Sequence, residues 1–199
     1  MKGKISFPVT FEFKVMAFSP QFSVRDSSGQ EIAYVKQKLF KLKEDITIFE
    51  NSSQKSALYK INANKWIDWS ASYQISEADG KPLGRMGRKG ARSIWKATYD
   101  IFDNDGKPEF RVEEANAFAK IMDGLFSEVP ILGLFTGYVF NPKYKIVDSN
   151  GQIIAMFTKE ASFLGKKFRL DSTADLSEDE KERLILSLMM MVFLERRRG

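Results

Sequence analysis

The side chains that carry most enzymatic chemistry are missing from this sequence. Its 199 residues include no histidine and no cysteine. The commonest general base and the commonest metal ligand are therefore absent, and with them every His-dependent triad and every HExxH-type zinc site. Without cysteine there is no disulfide, thiolate ligand or thiol nucleophile. Asp, Glu, Lys, Ser and Tyr remain, but none recurs in a recognisable acid–base or nucleophile pairing. Asp103-Asn104-Asp105-Gly106 has the outline of a calcium loop. Placing Gly106 at the loop glycine puts Ile101 at the first ligand position and Val112 at the last, where carboxylates are needed, so the segment reads as a turn. The expectation is a protein that is not an enzyme, with no metal site and no cofactor.

Positive charge is the chemistry that remains. Residues 84–96 hold Arg85, Arg88, Lys89, Arg92 and Lys96 and no acid. Arginine can fork onto phosphate, and Gly84, Gly87 and Gly90 let backbone come close to an anion. Trp95 suits a headgroup interface. A second basic stretch, Lys36 to Lys43, alternates Lys36, Lys38, Lys41 and Lys43 with apolar residues, the pattern of a strand with its polar face outward. The candidate anion or lipid site is thus Arg85, Arg88, Lys89 and Arg92, with Lys36 and Lys38. The competing interpretation is a solvated hairpin in the first stretch and lysines that block edge pairing in the second. Trp66 and Trp69 flank Asp68 and suggest a turn or bulge; a stacking site for a base or ring is the rival reading.

The chain carries a net charge of +5 and a pI near 9.2. Residues 1–100 hold 17 basic against 10 acidic residues, whereas residues 101–199 hold 14 against 16. This bias favours anionic partners, either phospholipid headgroups or nucleic acid. Nucleic acid ranks lower, because no recognition helix or RNA-binding aromatic motif is present. No signal-peptide run follows Lys2 and Lys4, and no stretch reaches the ~20 apolar residues of a spanning helix. The expected location is cytoplasmic, or peripheral at a membrane surface.

The elements that must position these groups are legible from a repeat. Phe22-x-Val24-x-Asp26-x-x-Gly29 is matched by Tyr73-x-Ile75-x-Glu77-x-x-Gly80, by Tyr99-x-Ile101-x-Asp103-x-x-Gly106 and by Tyr144-x-Ile146-x-Asp148-x-x-Gly151. Ile46-x-Ile48-x-Glu50-x-x-Ser53 is a degenerate copy. Each reads as a β-hairpin: the acid accepts backbone hydrogen bonds at the start of a type I turn, and glycine takes the left-handed position that closes it. A strand with period two runs from Ile5 to Val15, with an irregularity at Pro8, and a last strand covers Lys167–Leu170. About twelve antiparallel strands result, and closure into a barrel removes their edges. The long gap before the last hairpin holds a helix-containing insert at about 113–140. That insert is the docking surface in the alternative in which this is a structural or protein-interaction domain.

The C-terminus supplies the filling. Ser177-Glu-Asp-Glu180 is a capping box. From Leu184 to Leu194 only Ser187 interrupts the apolar run. A helix that is apolar on every side must be buried on every side, and this one is too short to cross a bilayer. Threading it through the barrel satisfies both conditions. The expected fold class is mainly β (α+β), a closed twelve-stranded antiparallel barrel around a hydrophobic helix at about 178–195, as one domain over residues 1–199.

These features together resemble the LURP-one-related family, within the wider group of tubby-like and phospholipid-scramblase-like domains. The stretches that carry the resemblance are Phe22–Lys43, Tyr73–Gly84, Glu128–Tyr138 running into Asn141–Tyr144, and Phe163–Phe168 followed by the helix. The resemblance implies a twelve-stranded barrel around a central C-terminal helix. It also implies a non-catalytic binding role, since tubby domains bind phosphoinositides through basic surface residues. The thioacylated cysteine of membrane-bound scramblases has no counterpart here.

Overall fold

Strand follows strand around a closed wall, and one helix occupies the space inside. The computed structural model describes residues 1, 3–14, 21–36, 45–63, 72–89, 98–115, 143–160 and 165–196. In chain order the strands are β1 (Val9–Lys14), β2 (Gln21–Arg25), β3 (Glu31–Lys36), β4 (Asp45–Phe49), β5 (Ala57–Ala63) and β6 (Ser72–Glu77). They continue with β7 (Pro82–Lys89), β8 (Thr98–Phe102), β9 (Pro108–Glu114), β10 (Lys143–Asp148), β11 (Ile153–Glu160) and β12 (Gly165–Ser172). Helix α1 spans Glu178–Arg196. Each strand pairs antiparallel with its neighbours in sequence, and β12 closes on β1 from Val9↔Leu170 to Lys14↔Gly165.

Period two sorts the wall. Phe11, Phe13, Phe22, Val24, Ile61, Ile75, Ile101, Ile146, Phe157 and Leu170 all face inward and are essentially inaccessible. From the helix, Leu184 to Phe193 is buried without a break. Phe193 meets the wall at Phe22 and Phe13, with ring centroids 5.1 and 6.3 Å apart in edge-on geometry. Phe157 stacks on Phe168 at 5.0 Å. The capping box forms as the sequence requires: Ser177 Oγ accepts from Glu180 N–H at 3.3 Å, and the Glu180 carboxylate accepts from Ser177 N–H at 2.7 Å.

Four hairpins turn as their sequences dictate. Gly29, Gly80, Gly106 and Gly151 all have positive φ, between 80° and 100°. Each glycine N–H donates to the carbonyl of the acid three residues earlier, at 3.0–3.2 Å. The pairing register slips beside each turn, at Val24/Arg25, Ile75/Ser76, Ile101/Phe102 and Ile146/Val147, which is the expected bulge.

The degenerate copy departs from this pattern. Here the left-handed residue is Gln54 (φ 56°) rather than Ser53, and Glu50 N–H reaches two residues further, to Ser56 O at 3.0 Å. Without glycine in the fourth position the loop lengthens before it closes. A side chain in this conformation costs about 1–2 kcal/mol, of which glycine's greater unfolded-state entropy returns roughly 0.5–1. Gln54→Gly is therefore expected to raise the melting temperature by about 1–3 °C in a thermal scan.

Two further expectations need correction. The first strand begins at Val9 and not at Ile5. Pro8 has no N–H for the ladder, so pairing with β12 starts after it, although Ile5 still packs into the core. Glu113 and Glu114 are the last residues of β9, paired with Lys145 and Tyr144, so no helical insert starts at residue 113. The rest of that insert, 116–140, lies outside the described residues, as do Lys38, Trp66, Asp68, Trp69, Arg92 and Trp95.

Candidate functional site

Because strand direction alternates, all five turns gather at one end of the barrel, together with the start of α1. Apart from the start of β1 and the end of β12, the remaining strand ends gather at the other end, where α1 finishes. The two ends differ in charge, and the turn end is acidic for reasons internal to the fold. Asp26 Oδ1 accepts from Ser28 N–H at 2.9 Å and Gln30 N–H at 3.1 Å. Asp148 Oδ1 accepts from Asn150 N–H at 2.9 Å and Gln152 N–H at 2.8 Å, and Asp103 Oδ1 from Lys107 N–H at 2.8 Å. Glu178, Asp179 and Glu180 fill the first turn of α1, where the helix dipole favours carboxylates.

A buried polar collar also fixes the helix at this end. Arg183 forms a bidentate pair with Glu109, at 2.7 Å for both bonds, and donates to Leu83 O at 3.3 Å. The Glu109 hydrogen bond raises the Arg183 pKa further. Lys181 pairs with Glu178 at 2.7 Å and donates to Ile5 O at 3.3 Å, and Glu178 accepts from Ile5 N–H at 2.9 Å. Tyr59 Oη donates to Glu182 at 2.8 Å, and the Met1 amine contacts both groups.

Burial pushes the Glu182 carboxyl up to about 7, with Arg183 pulling the other way. A folded-state pKa above the unfolded value gives stability that is complete at low pH and is lost as pH rises towards 7. The Met1 amine, which burial lowers to about 6, is present in wild type and in Glu182→Gln alike, so its own titration largely cancels from their difference. Urea titrations from pH 4.5 to 6 should therefore show wild type losing about 1–2 kcal/mol relative to Glu182→Gln. Parallel pH curves would contradict it.

Among the described residues the opposite end is basic. Lys14, Lys36, Lys89 and Lys143 terminate four strands there, against Asp45, Glu114 and Glu160, and Glu160 is already paired with Lys167 at 3.2 Å. Among the described residues at this end Lys36, Arg88, Lys143 and Lys159 have no ion-pair partner, as is also true of Lys55 and Lys107 at the turn end. Lys36 and Lys143 are exposed.

The candidate residues within this arrangement do not form one cluster. Arg85 lies on the outer face of β7, half-buried, with its guanidinium carbon 3.9 Å from the Phe102 ring centroid. Arg88 is three residues on, so the alternation sends it to the inner face with Met86, opposite Tyr99, and its Nε is buried without a hydrogen bond. Lys89 ends the strand. Gly84 does not open the backbone to an anion: a Cβ there would lie 2.4 Å from Phe102 O and 2.8 Å from Arg183 Cδ. Its bareness makes room for the collar. Local reading of the sequence missed Lys143 and Lys159, which become part of a basic end only through strand direction.

Among the described residues no group of acids could hold a metal ion, and no helix is long and apolar enough to cross a membrane. A solved structure of a protein from Arabidopsis thaliana is similar over 98% of this chain and 94% of its own, at 11% identity and a TM-score of 0.48. No curated protein matches the sequence. A family model described as LURP-one-related matches residues 31–193. With most of the wall and nearly all of the helix inside that match, the chain belongs to the LURP-one-related family.

Proposed function

We propose that the protein is a non-catalytic binding module that recognises anionic phospholipid headgroups or another phosphate-bearing partner through basic surface residues. One observation carries this reading. The end of the barrel at which α1 finishes carries strand-terminal lysines, of which Lys36 and Lys143 are exposed and have no ion-pair partner. Membership of a family of barrel domains with a filled interior supports binding over catalysis, because the space in which a pocket would form is occupied by α1. The protein is read as cytoplasmic, reaching membranes only peripherally.

The expected behaviour is salt-sensitive co-sedimentation with phosphatidylcholine vesicles that contain phosphatidylserine, and little with phosphatidylcholine alone. Binding should weaken steeply as salt rises from about 0.1 M to 1 M, since the screening length falls from about 10 Å to about 3 Å. Equal recovery on both vesicle types would reject the reading.

A further inference from the structure

Asn150-Gly151 is the one Asn-Gly pair in the chain. It lies in the turn between β10 and β11, with both residues exposed. Glycine places no side chain beside its own N–H, so in an open chain that nitrogen can reach the asparagine side-chain carbon. In the folded turn both reacting groups are tied to Asp148. Gly151 N–H donates to Asp148 O at 3.0 Å. Asn150 N–H donates to Asp148 Oδ1 at 2.9 Å, and Asn150 Nδ2 donates to Asp148 Oδ2 at 3.4 Å. Gln152 N–H closes on the same Oδ1 at 2.8 Å. To act as a nucleophile the Gly151 nitrogen must give up its proton, which here is held by a carbonyl beside a carboxylate.

The other three glycine turns show what the fold tolerates at this position. Ser28, Asp79 and Asp105 stand where Asn150 stands, each before a glycine with φ between 80° and 100°. Asp79 Oδ1 also accepts from Lys81 N–H, at 3.0 Å. An aspartate at 150 therefore has a place in the turn. A longer backbone does not. One extra carbon between residues 150 and 151 breaks the bond from Gly151 N–H to Asp148 O and the bulge beside it.

We propose that Asn150 is a site of spontaneous deamidation gated by opening of the β10–β11 turn. Gly151 N attacks Asn150 Cγ, the Cγ–Nδ2 bond breaks, and ammonia leaves with the Gly151 amide proton. Water then opens the cyclic imide. Attack at Cγ gives aspartate with the original peptide bond restored. Attack at the main-chain carbonyl gives isoaspartate, in which the chain runs through Cβ and Cγ. Either product adds one negative charge to the acidic end. The aspartate form keeps the turn, and the isoaspartate form loses its closing bond.

Wild-type protein is incubated in mildly alkaline buffer, folded or in denaturing guanidinium chloride, and its peptides are followed by mass. In denaturant the peptide holding residue 150 should gain one mass unit before any other asparagine peptide. In the folded protein the same conversion should be at least about tenfold slower, because it draws only on the open fraction. Asp148→Ala removes three side-chain bonds and should speed conversion in the folded state about fivefold or more. If a thermal melt shows that this variant is not folded, Asp148→Ser replaces it, with about twofold or more expected. Asn150→Asp should melt within about 2 °C of wild type.

Conversion as fast in the folded protein as in denaturant would overturn the gating, as would an unchanged rate in the Asp148 variant. A different asparagine converting first in denaturant would overturn the choice of site. An early melt of Asn150→Asp would overturn the tolerance inferred from Asp79 and Asp105.

Discussion

Gly84→Ala should cost more stability than a methyl added at any of the turn glycines Gly29, Gly80, Gly106 and Gly151. Gly84 has φ near 150°, which side chains rarely adopt, and its missing Cβ position is 2.4 Å from a backbone oxygen of β8. That oxygen, Phe102 O, belongs to the paired wall and cannot swing aside as a side-chain tip would. The other obstruction, Arg183 Cδ, belongs to a side chain held by Glu109 through Nε and Nη2 and by Leu83 O through Nη1. Backbone strain of about 1–3 kcal/mol and an overpacking cost of about 1–3 kcal/mol combine. The expected drop in melting temperature is about 10 °C, and failure to accumulate folded protein is the same effect taken further. An unchanged melt would mean that α1 sits further from β7 and β8 than described.

The second large effect concerns the ion pair beside it. Arg183 and Glu109 have side-chain exposures of only 12% and 14%. Arg183→Met should destabilise by about 3–5 kcal/mol, chiefly because it strands the Glu109 carboxylate in a desolvated site. The double variant Arg183→Met/Glu109→Leu should recover most of that loss, since a buried pair replaced by apolar groups of similar size is often close to neutral. Urea unfolding of the four members of the cycle reads the coupling directly. Additive losses would show that the two groups do not meet.

Much of the fold was legible because its signals are local. An acid followed by glycine three residues on fixes a turn and a bulge together, and four such copies place eight strands. Ser177 and Glu180 mark the start of the helix, and the apolar run from Leu184 to Leu194 requires that something surround it. The exceptions have local causes of another kind. Pro8 delays β1 by removing a ladder donor, and Gln54 takes the position that glycine would have filled.

The candidate site was less legible, because charge that sits together in space is scattered in sequence. Arg85 and Arg88 looked like one cluster, but an odd spacing on a strand separates them across the wall. Lys36 and Lys143 are more than a hundred residues apart, and only the alternation of strand direction brings them to one end. Nor does anything local pair Arg183 with Glu109 or Tyr59 with Glu182. In sequence Gly84 suggests an opening for an anion, whereas in the barrel it makes space for an arginine.

The absence of cysteine permits a direct test of whether the barrel meets anionic lipid. A single cysteine introduced at Gln21, the first residue of β2 at the basic end, or at Asn104, exposed in the turn after β8, can carry an environment-sensitive fluorophore. When anionic vesicles are added, at least one label should shift to the blue and be quenched by lipid-borne quenchers, while neutral vesicles leave both in water. Responses that are the same for neutral and anionic vesicles at both positions would contradict the account.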